Sequence, residues 1–435
     1  MIRPTPSPGW DAEIFIRNHA SAWDNRSYTS FFTSSVATQR ARTTNAQGTA
    51  VINDEPSHVN SGLVVPNLDS SVVVVAKYGG QPAGYSGIAA TNVKDGVIDS
   101  PAWEQAGRTL YVPLVKEGYV NHWSEIYVTN AGTRATTISI TYYPLSGGAG
   151  YSGGNYLLQP NIQRLFSPGS GVPDGVYSAI VTNSENQPLA AVVLEGEGSG
   201  ANNWPAMYNA FSSGGTTLLG PLIKKNYVGN TTGITLMNIG SSTANFEAKY
   251  YDMSGNKQGN TVSASIPANA PYVLYNPSEI PDGFLGSVRI TSSQPLVGQM
   301  SEGNGSGGLR LMSNLFPAPP VGSATIIHLP IWYDNYTTGG SWMSGVNVQN
   351  AGTGINNITA TWFNQNGYLI LTRTATLANT NDSHNFYELP ELNNFIGSVV
   401  IESTSNKPIV AVSNVRNWAG TVGDDSVMAF NGSNR

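Results

Sequence analysis

Cysteine is absent from the 435 residues, which excludes a disulfide framework, thiolate metal sites and thiol catalysis together. Charge is scarce as well. Asp, Glu, Lys and Arg make up 11% of the chain and the net charge is −6 at pH 7, so no basic stripe exists to hold nucleic acid or anionic lipid. No apolar run reaches the roughly 18 residues that a membrane-spanning helix needs, and insertion into a membrane is not expected. The start, Met1 to Pro8, lacks the apolar centre of a leader peptide, while Pro4, Pro6 and Pro8 read as an extended linker. The expectation is a trimmed N-terminus on an exported protein, extracellular or at the cell surface, whose leader has been cleaved. Sustained helical periodicity is also missing.

What is present is repetition. Glu125-Ile126-Tyr127-Val128-Thr129-Asn130-Ala131-Gly132 returns as Ile234 to Gly240 and Val346 to Gly352, with a worn copy at Ile14 to Ala20. The asparagines Asn18, Asn130, Asn238 and Asn350 stand 112, 108 and 112 residues apart. Other marks keep the period: aromatic pairs at Tyr142-Tyr143, Tyr250-Tyr251 and Trp362-Phe363, a Pro-Leu or Pro-Ile at Pro113, Pro221 and Pro330, and an apolar run opened by Pro188, Pro295 and Pro408. A period of this size points to copies of one domain. The repeats are residues 1–109, 110–217, 218–326 and 327–435, the first being the most divergent.

Repeat two shows the unit best. Strands are expected at Tyr111 to Val115, Glu125 to Asn130, Ile138 to Tyr143, Tyr156 to Gln159, Arg164 to Ser167, Ser178 to Asn183, Leu189 to Gly196 and Ala206 to Phe211. Turn chemistry such as Asn130-Ala131-Gly132 and Pro173-Asp174-Gly175 separates them. Seven or eight short strands in such a length describe an immunoglobulin-like antiparallel β-sandwich. The expected architecture is all-β, four such sandwiches in a rod.

Catalytic patterns fare poorly. Gly150-Tyr151-Ser152-Gly153-Gly154 fits the nucleophile-elbow pattern, but it falls between strands, where that chemistry needs a strand before it and a helix after. His19, His58, His122, His328 and His384 show no metal-ligand spacing. Glu195 and Glu302 follow their landmark prolines by the same interval, yet repeats one and four have no carboxylate there. The chain is therefore read as non-enzymatic, without a cofactor. Asp174 and Asp282 serve their own Asp-Gly turns first, and calcium at an inter-domain loop is kept as a lesser alternative.

Aromatic side chains are the best binding lead. Trp123, Trp204, Trp332, Tyr333, Trp342 and Trp418 are placed in loops, where flat rings can stack on a glycan or anchor a protein partner. The competing reading puts the aromatics that follow the Pro-Leu marks, Tyr119, Tyr227, Tyr333 and Tyr336, into the seams between domains.

The order Pro-Leu-Ile/Val-Lys-x-x-Tyr at Pro113 to Tyr119 and Pro221 to Tyr227, followed by the asparagine motif, the aromatic pair, Pro-Asp-Gly and the Pro-Leu run, resembles tandem-repeat proteins of the bacterial surface, of Chloroflexota type. Repeat four departs at Trp332-Tyr333-Asp334, where the lysines are missing. The resemblance implies export and a role on the cell exterior, and it carries over no site residues. The resulting expectation is a structural subunit of a surface layer, sheath or filament that joins copies of itself by strand addition, with the proline arm or Ser426 to Phe430 as connectors. The alternative is an adhesin or glycan-binding protein using the loop tryptophans.

Overall fold

The computed structural model describes residues 10–18, 27–32, 37–41, 49–53, 62–65, 70–78, 87–93, 107–160, 162–169, 171–197, 206–304, 310–318, 325–337, 341–417 and 427–434; for 10–93, Thr49 apart, it describes the backbone only. No helix occurs among them, and the strands form antiparallel sheets. In the first repeat, β1 (Trp10–Asn18), β4 (Thr49–Asn53), β6 (Ser70–Tyr78) and β7 (Gly87–Val93) line up as β4-β1-β6-β7. A second sheet of β2 (Ser27–Phe32), β3 (Ala37–Ala41) and β5 (Gly62–Val65) runs β3-β2-β5.

The same plan returns along the chain. Repeat two contains β8 (Thr109–Glu117), β9 (His122–Asn130), β10 (Thr136–Pro144), β11 (Tyr151–Leu158), β12 (Gln163–Phe166), β13 (Gly175–Asn183), β14 (Leu189–Glu197) and β15 (Ala206–Asn209). They form β12-β9-β14-β15 and β11-β10-β13-β8. Repeat three holds β16 (Gly215–Lys225), β17 (Asn230–Asn238), β18 (Ala244–Asp252), β19 (Lys257–Ile266), β20 (Pro271–Leu274), β21 (Phe284–Asn304), β22 (Arg310–Asn314) and β23 (Phe316–Pro317). There β21 is long enough to serve both layers, pairing β18 and β16 with its first half and β17 and β22 with its second. In repeat four, β24 (Ile326–Asp334), β25 (Trp342–Asn350), β26 (Asn356–Asn364), β27 (Leu369–Leu377), β28 (Ser383–Tyr387), β29 (Phe395–Ser403), β30 (Ile409–Asn417), β31 (Val427–Asn431) and β32 (Ser433–Asn434) form β28-β25-β30-β31 and β27-β26-β29-β24-β32.

Alternation explains the strands. Along β10, Ile138, Ile140 and Tyr142 are buried while Ser139 and Thr141 face the other way, as the period of two requires. The first member of each aromatic pair, Tyr142, Tyr250 or Trp362, is fully buried in its core, and the second lies on the outer face. The Pro-Leu marks sit where the strand register slips against β13, β21 and β29. Proline has no N–H to give to a ladder, so a bulge is its natural place in a strand.

The landmark asparagines are turn clamps. Asn130, Asn238 and Asn350 end β9, β17 and β25 and are completely buried. Each carboxamide oxygen accepts the N–H of Gly132, Gly240 or Gly352, at 3.0, 2.9 and 3.1 Å. Each Nδ2 donates to two carbonyls: Arg134 and Leu158 (2.8 and 3.1 Å), Ser242 and Ile266 (2.8 and 2.9 Å), Gly354 and Asn379 (2.7 and 2.8 Å). In repeats two and three the second carbonyl ends an edge strand of the opposite sheet, so one side chain ties a turn to both layers. The glycine is demanded by closeness, since a Cβ on Gly240 would lie 2.5 Å from Gln294 Oε1.

The repeats do not string out into a rod. Met237, Val297 and Met312, on the outer face of a repeat-three sheet, belong to the hydrophobic cluster of repeat two. Ala351, Val410 and Val412 do the same for repeat three. Both seams carry one matching polar bond: Ser178 Oγ donates to Asn269 O (2.5 Å), and Ser287 Oγ to Asn381 O (3.0 Å). By the same geometry β8 lies against β17 and β21, β16 against β25 and β30, and β24 against β1 and β6. Repeat four therefore meets repeat one, and Thr49 N donates to Gln365 O at 3.1 Å. The edge strands β7, β15, β22 and β31 touch in a closed circuit at the hub. There Asn431 Nδ2 donates to Asn314 O (2.7 Å), Asn314 N to Asn431 Oδ1 (2.8 Å) and Asn314 Nδ2 to Asn209 O (3.0 Å). The expected rod is thus corrected to a ring, because apolar outer sheet faces gain more from covering one another than from standing in water. The expected connector Ser426 to Phe430 falls largely within β31 and is used up at that hub, whereas the proline arm lies outside the described residues.

Replacing Asn238 by Ala removes three hydrogen bonds from a buried site and is expected to cost about 3 kcal/mol, read as a clear fall in melting temperature; a negligible fall contradicts the clamp. Small-angle scattering checks the ring: a compact chain of this length has a radius of gyration of about 22 Å, and a rod of beads gives a much larger value.

Candidate functional site

Two cavities open at corresponding seams. One, of about 260 Å³, lies between repeats three and four; the other, of about 460 Å³, lies between repeats two and three. Each is walled on one side by the strand that carries the Pro-Leu bulge. Past that bulge the N–H of Lys116 donates to Ser124 Oγ (2.9 Å) and that of Lys224 to Thr232 Oγ1 (3.0 Å). The lysine side chains turn into the seam, where Lys116 Nζ meets Glu195 Oε1 at 2.5 Å and Lys224 Nζ meets Glu302 Oε1 at 2.6 Å. The glutamates that looked like candidate acids are therefore structural partners, buried to 1% and 9% exposure.

The same position in repeat four is uncharged. Tyr333 N donates to Ser344 Oγ at 2.8 Å, which identifies Tyr333 as the counterpart of the lysines. Across the sheet, Val415 pairs with Ser344 as Glu195 pairs with Ser124 and Glu302 with Thr232. Lysine and glutamate have been replaced together by tyrosine and valine. Neither charge is left alone, as the cost of an unpaired buried ion requires.

The predicted glycan contacts are distributed otherwise than expected. Trp332, Tyr333 and Trp342 are 0%, 7% and 6% exposed, inside the repeat-four core, with Trp332 edge-on to Trp362 at 5.4 Å and Tyr333 5.6 Å from Trp342. Their placement in loops is corrected: β24 and β25 extend through them and face their rings inward, so none offers a flat surface to a ligand. Trp123 is partly buried against Tyr127, Val192, Leu194 and Met207. Trp204 and Trp418 lie outside the described residues. Tyr119 and Tyr227 do line the two seam cavities, as the seam reading has it.

Other patterns resolve locally. Gly150 to Gly154 belongs mostly to edge strand β11, where Ser152 Oγ accepts from Gly154 N at 3.2 Å. His328 is buried at 4% exposure, and burial lowers the His384 pKa. Among the described residues no three His, Asp or Glu side chains converge as metal ligands would. At the smaller cavity, burial lowers the Arg416 pKa against the opposing pull of Tyr387 and Glu302. Burial raises the Tyr387 pKa, with Glu388 adding to the rise.

No protein-family model matches the chain, and no curated protein does. Among solved structures it is similar to Thermotoga maritima 1070 (17% identity, 24% of this chain and 95% of that one, TM-score 0.21). It is also similar to the Anabaena sensory rhodopsin transducer (21% identity, 20% and 96%, TM-score 0.18) and to the FN1-FN3 domains of chicken CNTN1 (11% identity, 76% and 99%, TM-score 0.11).

The ion pair makes a sharp prediction. Glu302→Val alone strands Lys224 and should cost about 3 kcal/mol, whereas the double variant Lys224→Tyr with Glu302→Val, which copies repeat four, should recover most of the loss. Thermal melts of the two variants check it, and equal destabilisation by both contradicts it.

Proposed function

We propose that the chain is a non-enzymatic structural protein of the cell exterior, in which four immunoglobulin-like repeats close into a ring that joins further copies of itself through free sheet edges. The observation that carries this reading is where the contacts fall. Head-to-tail faces are consumed inside the ring, so association between rings is lateral. Strand β27 ends its sheet, and among the described residues nothing pairs with its far side. It opens on Leu369 and Ile370, 61% and 46% exposed, directly after Tyr368, which is 68% exposed. The corresponding edge β19 opens on Lys257 and Gln258, the polar guard usually placed on an edge. An unguarded edge of this kind takes on another strand. The resemblance to bacterial surface repeats supports an exterior location.

Negative-stain images and light scattering of the concentrated protein test the reading. Assemblies larger than one ring are expected, and Leu369→Lys with Ile370→Lys should abolish them while leaving the melting temperature nearly unchanged. A wild-type chain that stays a single ring at every concentration overturns it.

A further inference from the structure

The cavity between repeats three and four holds two polar atoms that its own walls do not satisfy. Asn347 on β25 and Asn385 on β28 stand directly opposite each other in the antiparallel pairing. Asn347 is only 3% exposed, and among the described residues neither Oδ1 has a hydrogen-bond donor. A buried acceptor without a donor is costly enough that native proteins rarely keep one without a use. The fold does not need these amides. In repeat three the corresponding residues are Thr235, whose hydroxyl accepts from Gln299 Nε2 at 3.3 Å, and Val273.

The surroundings point the same way. Gly345 lies beneath the Tyr387 ring, where a Cβ would come within 3.3 Å of Tyr387 Cδ2 and 3.9 Å of Asn385 Oδ1. The glycine leaves room for that ring, and the pair recurs in repeat three as Gly233 beside Tyr275. Tyr387 is 42% exposed, a ring half offered to the cavity. At the mouth, Val228 is 76% exposed in the tight turn between β16 and β17, with φ 50°, as its counterpart Val120 has φ 51° in the turn between β8 and β9.

We infer that this cavity binds a single neutral saccharide ring. Sugar hydroxyls donate to Asn347 Oδ1 and Asn385 Oδ1, and the C–H face of the ring packs on Tyr387. Charge decides the class. Lys224 and Glu302 neutralise each other, and Glu302 Oε2 already accepts from Asn414 Nδ2 at 3.3 Å. Arg416 on the wall disfavours an ammonium ligand, while the two amide oxygens, which call for donors, disfavour phosphate. Size sets the number of rings: about 260 Å³ falls just below the lower end, roughly 300 Å³, of sites for drug-sized molecules. The inference stands apart from the lateral-assembly reading, because the cavity is inside one ring.

The test is saturation-transfer NMR and calorimetric titration of the full chain with glucose, galactose, mannose, rhamnose, fucose and N-acetylglucosamine, alongside glucuronate, choline and inorganic phosphate. At least one neutral sugar should bind, and the charged probes should bind at least tenfold more weakly. Asn347→Thr with Asn385→Val, which installs the repeat-three residues and so keeps a pairing the fold accepts, should weaken that sugar tenfold or more. Gly345→Ala should do the same by moving the Tyr387 ring. Absence of binding by every neutral sugar, preference for phosphate or choline, or binding that survives both variants overturns the assignment.

Discussion

A single buried carboxamide organises each repeat whose side chains are described. At the end of its strand the asparagine holds the following turn through its oxygen and reaches two carbonyls with its nitrogen, so both of its N–H donors are used and one side chain bridges the two layers. In a low-dielectric interior such a fully satisfied group is rigid, and an incompletely satisfied one would be costly. This is why the asparagine persists through Asn130, Asn238 and Asn350 while the residues around it change. The glycine two places on follows from the same clamp, since the close approach of the glutamine side chain in repeats two and three leaves no room for a Cβ.

With the sandwiches fixed, the outer sheet faces decide how they meet. Met237 and Val297 face away from their own core and into that of repeat two, and Ala351 and Val410 repeat the arrangement one step on. A head-to-tail contact of this type either runs on indefinitely or closes, according to the rotation per step. Here the step closes. Asparagines at the hub, Asn209, Asn314 and Asn431, bond across from one edge strand to the next, which fixes the relative height of the repeats where apolar contact alone would tolerate sliding.

Much of the fold was legible because each sequence landmark has a local cause. The eight strands expected in repeat two are all present, most lengthened by a few residues; β11 begins at Tyr151 instead of Tyr156, because Tyr151 and Ser152 pair with Tyr142 and Thr141 while Gly153 and Gly154 are taken up in a bulge. The aromatic pair marks one inward and one outward position, and the Pro-Leu mark records a bulge. The site was less legible. Lys116 and Glu195 are 79 residues apart, and Lys224 and Glu302 are 78 apart, so their pairing depends on a register that no short window contains. Trp332-Tyr333-Asp334-Asn335-Tyr336 has the composition of a loop, yet the pairing of β24 with β29 carries the strand through Asp334. Ring closure was hidden for a similar reason: an outer face that is apolar because it is covered looks, in one dimension, like a second core face.

The co-replacement of lysine and glutamate by tyrosine and valine in repeat four shows what a tandem ring permits. An oligomer of identical chains must change every interface at once when one residue mutates. When the subunits are fused, each junction is encoded separately and can diverge alone, so neighbouring cavities are at liberty to acquire unlike occupants. Fusion also makes closure an intramolecular event, governed by an effective concentration set by the connecting segments, and dilution into an open environment does not take the assembly apart.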